Sequence, residues 1–326
     1  MSKHLGWVDP FIVALFGALA LGLLLPIPAG LLTALRQSGV WAVALLFFLY
    51  GARLATKDVL AALSNWVLQG AMLVATFIIF PLLGLLLSRI MAPIIGSEFA
   101  AGILYLSLLP STIQSAVVFV SIARGNVAAA ISGATLSNVL GMFLTPLLVL
   151  WLMANVGQDG TAASVGGIEA ERLRSVIYGL LFPFVVGQLV QPRIGDWVRA
   201  HKGLTVSVDR GTILLLVLTA VAGARVTLLA ISPWSLLLLL VISAVLLAIM
   251  LCLTWYGGRA LGLDVPDRIA LLDCGSTKSL ATGLPMASVL LPTALLAGVA
   301  VPLIIFHQLQ LITCSVLARR LAQRPE

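Results

Sequence analysis

The sequence predicts an all-α polytopic membrane protein of about ten transmembrane helices in two inverted five-helix repeats. Three observations predict it: hydropathy, the spacing of apolar runs, and the sidedness of positive charge. Of 326 residues, 61% are hydrophobic and 10% charged, with a mean hydropathy of +1.14, which is too little polar surface to coat a water-soluble globule. Apolar runs of roughly twenty residues recur along the chain, each long enough to cross the roughly 30 Å hydrocarbon layer as a helix. Backbone groups in lipid must pair internally, within helices or a closed barrel. A barrel would show strands of about ten residues alternating apolar and polar, whereas Leu236–Met250 is apolar except for Ser243.

Bordered by Gly, Pro and charged residues, the spans fall near 10–28, 38–53, 66–88, 99–122 and 128–153, then near 174–192, 206–224, 232–256, 269–290 and 296–317. The first run follows Lys3 and His4 as a signal peptide would. It is long, however, ends in Pro26-Ile27-Pro28 and lacks a small-residue cleavage site, so it reads as a retained span.

With the N-terminus in the cytoplasm, Lys3, Arg53, Lys57, Arg124, Arg193, Arg199, Lys202, Arg210, Arg259, Arg268, Arg319, Arg320 and Arg324 fall inside. Only Arg36, Arg89, Arg172, Arg174 and Arg225 fall outside, and Asp159, Glu169 and Glu171 cluster in an outer loop, 155–173. This asymmetry predicts an inner-membrane protein with both termini cytoplasmic, and it accounts for the net charge of +7 without a nucleic-acid partner. Five spans per half make residues 1–154 and 174–326 inverted repeats, with a binding site expected near the midplane. Cys252, Cys274 and Cys314 all lie in apolar runs and read as small buried hydrophobes, with no metal-ligand spacing.

Two polar stretches interrupt the apolar pattern about half a chain apart. Pro110-Ser-Thr-Ile-Gln-Ser115 falls in the fourth span and Asp273-Cys-Gly-Ser-Thr-Lys-Ser279 in the ninth. Asp273 is the only carboxylate the hydropathy borders place well within a span, and Lys278 the only ammonium. Charge at bilayer depth costs at least about 2.5 to 3.5 kcal/mol and usually serves function. Pro110 and Gly275 mark both helices as candidates to be broken there, freeing carbonyls and amides. Ser111, Thr112, Gln114, Ser115, Ser137, Asn138, Asp273, Ser276 and Thr277 then supply the oxygen chemistry that replaces a hard cation's hydration shell. Each hydroxyl equally fits bonding to its own helix, Asp273 with Lys278 fits a buried ion pair, and His307, beside Gln308 and Gln310, fits either a proton relay or hydrogen-bonded packing. Trp66 and Trp234 read as interfacial anchors.

The Ala123-Arg-Gly-Asn-Val127 turn and the Cys274-Gly-Ser-Thr-Lys-Ser-Leu-Ala281 stretch with Gly283-Leu-Pro-Met286 resemble the bile acid:sodium symporter superfamily, in particular its divergent bacterial branch related to sodium/bile acid cotransporter 7. The resemblance implies a panel domain of spans 1, 2, 6 and 7 and a core of the other six, with broken helices 4 and 9 crossing and sodium bound behind the crossing. It puts Asp273, Ser276, Thr277, Ser115 and Ser137 at sodium-ligand positions, with Na+ as a coupling ion and no other cofactor. Lys278 departs from the family pattern of a neutral polar residue, and its ammonium is expected to replace at least one sodium. The function expected is secondary transport of a small, anionic organic solute, coupled to Na+ or H+, with Lys278, Asp273, Thr112, Gln114, Asn138, Ser279 and His307 at the substrate or coupling site. The alternative is a passive channel or a regulatory membrane subunit. No nucleotide loop, metal spacing or nucleophile motif supports an enzyme.

Overall fold

The computed structural model describes residues 10–54, 65–153, 174–229 and 232–324, and every regular element among them is a helix. The expected outer loop 155–173, with Asp159, Glu169, Glu171 and Arg172, lies outside the described residues, as do Lys3 and Lys57. Pro26 and Pro28 follow α1 (Pro10–Leu24), and α2 (Ala29–Arg53) starts directly behind Pro28. This is well before the hydropathy border at 38, because Arg36, Gln37 and Ser38 sit on exposed turns that remain helical. Asn65 caps α3 (Trp66–Ile95) by accepting from the Leu68 amide. The fourth segment is broken into α4 (Ser97–Ser107) and α5 (Gln114–Ile122), and α6 (Val127–Leu152) follows.

The second half runs α7 (Arg174–Ala200), α8 (Lys202–Gly223), the short α9 (Arg225–Leu229) and α10 (Pro233–Ala260). It continues with the broken pair α11 (Val265–Ser276) and α12 (Leu280–Leu290), and ends in α13 (Thr293–Ala322). Among the described residues seven helices, α2, α3, α6, α7, α8, α10 and α13, are long and apolar enough to cross a membrane. With α1 and the two broken pairs they reproduce the predicted order of ten segments. Trp66 and Trp234 are 77% and 62% exposed at the starts of α3 and α10, as anchors should be.

The helices group into two compact units. One holds α1, α2, α7, α8 and Leu284–Ala300, and the other holds α3 to α6, α10, α11 and α13 from Val301 onward. Spans 1, 2, 6 and 7 therefore group as expected of a panel. The second half of span nine and the start of span ten join them, whereas the expectation assigned those stretches to the core.

Within the first unit α2 and α7 pack backbone to backbone at paired glycines. A Cβ on Gly51 would strike the Phe184 carbonyl oxygen, and one on Gly187 would strike that of Phe48. Asp209, 5% exposed, lies two turns inside α8 and pairs with Arg53 at 3.1 Å. Asp273 is thus not the only carboxylate within a span. The expected border at 206 had put Asp209 at a helix end, but the helix begins at Lys202. Cys252 also departs from expectation: it faces outward from α10, while Cys274 and Cys314 are buried.

In the second unit one carboxylate ties together the starts of three helices. Asp267, in the first turn of α11, accepts from the side-chain amides of Asn65 (3.0 Å) and Asn126 (2.7 Å), the residues that cap α3 and α6. Asp267→Ala leaves both amides without that acceptor, and we expect it to lower stability by about 2 kcal/mol, read as a downward shift in the melting temperature of the purified protein.

Candidate functional site

The two breaks lie against each other in the second unit. Pro110 has no N–H to continue the helix, and with residues 108–113 outside the helices the carbonyls of residues 108–111 have no helical partners. Each finds another. Leu108 O accepts from Thr145 Oγ1 (2.8 Å), Leu109 O from Lys278 Nζ (2.6 Å), Pro110 O from the Ser279 amide (2.9 Å) and Ser111 O from Asn138 Nδ2 (2.7 Å). The second break is satisfied in the same manner. Gln310 on α13 accepts from the Lys278 amide through Oε1 (2.8 Å) and donates to the Lys278 carbonyl through Nε2 (2.9 Å). Ser279 Oγ accepts from the Thr282 amide and so caps α12, while Tyr105 donates its hydroxyl to Gly283 O (2.7 Å).

Lys278 is fully buried. Its Nζ donates to Leu109 O and to Thr76 O (2.9 Å) and lies 4.2 Å from the Phe80 ring centroid. The Thr76 carbonyl is free for a local reason. Residues Ala75–Ile79 form a π-helical turn in which the Phe80 amide bonds Ala75 O, so the next donor in register for Thr76 O would be residue 81. Residue 81 is proline, with no N–H to give. Two carbonyls without helical amide partners, Leu109 O and Thr76 O, and one aromatic face therefore surround the Lys278 nitrogen.

Asp273 does not pair with Lys278. It is 2% exposed, and neither carboxylate oxygen has a hydrogen-bond partner. The carboxyl lines a cavity of about 10 Å³, room for about one water molecule, with Phe119, Ile269, Leu272 and Leu317. The Cys314 thiol, a weak donor, is the polar group that shares this cavity with it.

The other predicted oxygens converge only in part. Ser137 Oγ accepts from the Ser111 amide (3.1 Å), and Ser111 Oγ stands 3.4 Å from Thr277 Oγ1, so these three residues and Asn138 meet at the crossing. Ser276 is paired instead with Thr254 on α10 (2.9 Å), and Ser115 with Thr112 (3.2 Å). Gln114, the first residue of α5, is exposed. His307 is half-buried and bonds Gln310 at 3.0 Å. Thr76, Phe80 and Thr145 are site residues that hydropathy does not mark. A proline after a run with no other break is the one clue to Thr76.

Membrane-length helices and two broken helices that meet around a buried lysine define a multi-pass membrane protein of the transporter class. The chain belongs to the SBF-like CPA transporter family, matched over residues 9–323. It is 41% identical to protein PA2026 of Pseudomonas aeruginosa over 326 residues, covering 99% of this chain and 96% of that protein. It is 39% identical to YfeH of Escherichia coli over 325 residues (98% and 94%). Mouse sodium/bile acid cotransporter 7 is 29% identical over 286 residues (85% and 80%). The protein is thus a sodium/bile acid cotransporter-like transporter of a small solute, working in a lipid bilayer, and not an enzyme.

Proposed function

We propose that this transporter is a secondary active carrier that moves a small organic anion by alternating access, and that the Lys278 ammonium stands where a coupling cation would bind. The coordination of Lys278 supports this reading. Backbone carbonyls and an aromatic face are what a monovalent cation needs in exchange for its water, and here they surround a covalently tethered one. Asp273, buried and unpaired, offers a carboxylate that calls for a positive partner, Na+ or H+. Ser137, Ser111 and Thr277 supply hydroxyls beside the crossing. The anionic class of solute is supported by α5, whose N-terminus carries no side-chain cap at the crossing and presents the positive end of its dipole there. The halves 1–154 and 174–326 serve as inverted repeats, with both termini on the cytoplasmic side of the inner membrane.

A thermal-shift titration of purified protein with sodium against potassium tests the coupling. Lys278→Asn is expected to gain a sodium-specific stabilisation beyond that of wild type, about 2.7 kcal/mol at a hundred times the dissociation constant. If Lys278→Asn and Lys278→Gln both fold and neither gains a sodium response, the ammonium is not in a cation's place.

A further inference from the structure

The cavity beside Asp273 continues toward one end of the second unit. Its lining falls in three stripes: from Asp273 back to Ile269 on α11, from Phe119 on α5 to Ala123 just past it, and from Cys314 to Leu321 on α13. Cys314 and Leu321 stand two turns apart, about 10 Å along the helix axis. A guanidinium lies at the far end. α5 closes in a Schellman turn, in which the Gly125 amide bonds Val120 O (2.8 Å) and Arg124 takes a left-handed φ of 55°. That turn leaves the Ala123 and Arg124 carbonyls beyond the helical ladder, and Arg324 takes both. Its Nη1 donates to Ala123 O (2.6 Å) and to Leu321 O (3.3 Å), and its Nη2 to Arg124 O (2.7 Å). Ala123 and Leu321 both line the cavity, so the guanidinium sits across the end opposite Asp273 and joins the end of α5 to α13 there. All of these residues belong to the second unit.

We propose, on the reading of Asp273 as the carboxylate that takes Na+ or H+, that the seam between α5, α11 and α13 is the route by which this small cation reaches and leaves Asp273, and that Arg324 is its gate. The carboxylate is buried among apolar side chains, through which a charge does not pass. The cavity is the opening it faces. In place, the guanidinium obstructs the seam and its positive charge repels a cation entering a region of low dielectric. Swung outward, it leaves the Ala123 and Arg124 carbonyls unbonded at the mouth, where they offer oxygen ligands to a cation shedding its water.

Cys314 is a native reporter of the route, since its thiol shares the cavity with Asp273 and the residue is 2% exposed. Cys274 is the control: it is 1% exposed, lies outside the cavity lining and turns its thiol to Ala130 O (3.5 Å). The purified full chain, carrying Cys252→Ser to remove the exposed thiol, is treated with aminoethyl methanethiosulfonate, a small cationic thiol reagent, and both cysteines are followed by peptide mass spectrometry. Labelling of a buried thiol tracks the population of the locally open form, so Arg324→Ala should speed modification of Cys314 about tenfold or more and leave Cys274 at its wild-type rate. Equal rates at Cys314 with and without the arginine overturn the gate. A parallel rise at both cysteines overturns it as well, because an arginine that merely staples two helix ends would loosen the whole unit. Should Arg324→Ala not fold, Arg324→Gln, which keeps amide hydrogens for one of the carbonyls, is judged by the same two criteria. The labelling is run without sodium, so a failure of the gate is distinct from a failure of the sodium titration that tests the coupling.

Discussion

Gly187→Ala is expected to destabilise the folded protein by at least about 3 kcal/mol, the upper part of the range for overpacking, and Gly51→Ala to do the same. The added carbon in each case meets a backbone carbonyl oxygen of the partner helix, Phe48 for residue 187 and Phe184 for residue 51. A side chain in the way could rotate aside, but a carbonyl is fixed by its own helix. Relief therefore requires α2 and α7 to move apart along their whole shared length, at the expense of contacts that in lipid come from packing without a hydrophobic drive. Detergent-resistant yield and unfolding temperature should both collapse. Gly211→Ala on α8, where a Cβ meets nothing within 4 Å, is the control and should stay within about 0.5 kcal/mol of wild type or gain slightly in helix propensity.

Gln310→Leu should produce the other large effect. One side chain serves both backbone groups of Lys278, at 2.8 and 2.9 Å, in a segment with no helical neighbours to substitute. Leaving two buried backbone groups unmet costs about 1 to 3 kcal/mol each, with values nearer 1 expected inside a bilayer. The loss should appear as a lower melting temperature and as faster amide exchange confined to 277–279. The same substitution at the half-buried Gln308 is the comparison, and it should have little effect on either readout.

Much of this architecture was legible in the sequence because lipid leaves the chain few choices. The order of ten segments follows from apolar runs, and Pro110 together with the polar Asp273–Ser279 stretch marks both broken helices. Hydropathy misplaced the ends where helices continue through polar turns, as α2 does across Arg36 to Ser38 and α8 across Lys202 to Asp209. That error hid the Arg53–Asp209 pair. At the site, Ser111 of the first polar stretch and Thr277 of the second face each other across the breaks. The direction of each side chain was not legible. Lys278 and Asp273 share a segment and were read together, yet the lysine runs to carbonyls on α3 and the first break, while the carboxylate turns into a cavity with Cys314. Five residues of separation across a break say nothing about which way two side chains leave it. Gln310 looked like an accessory to His307, because a glutamine that bonds a distant backbone carries no periodic signature.

The proline at 81 gives the fold a historical constraint. A helix defect in mid-membrane is ordinarily a liability that drift would repair, since any other residue there restores a donor to the ladder. Here repair would have a victim in the other half of the chain, because the restored amide would compete for the Thr76 carbonyl that holds the lysine. Descendants free to straighten α3 are those that have already given up the lysine, so the two positions should be inherited as a pair and lost in a fixed order.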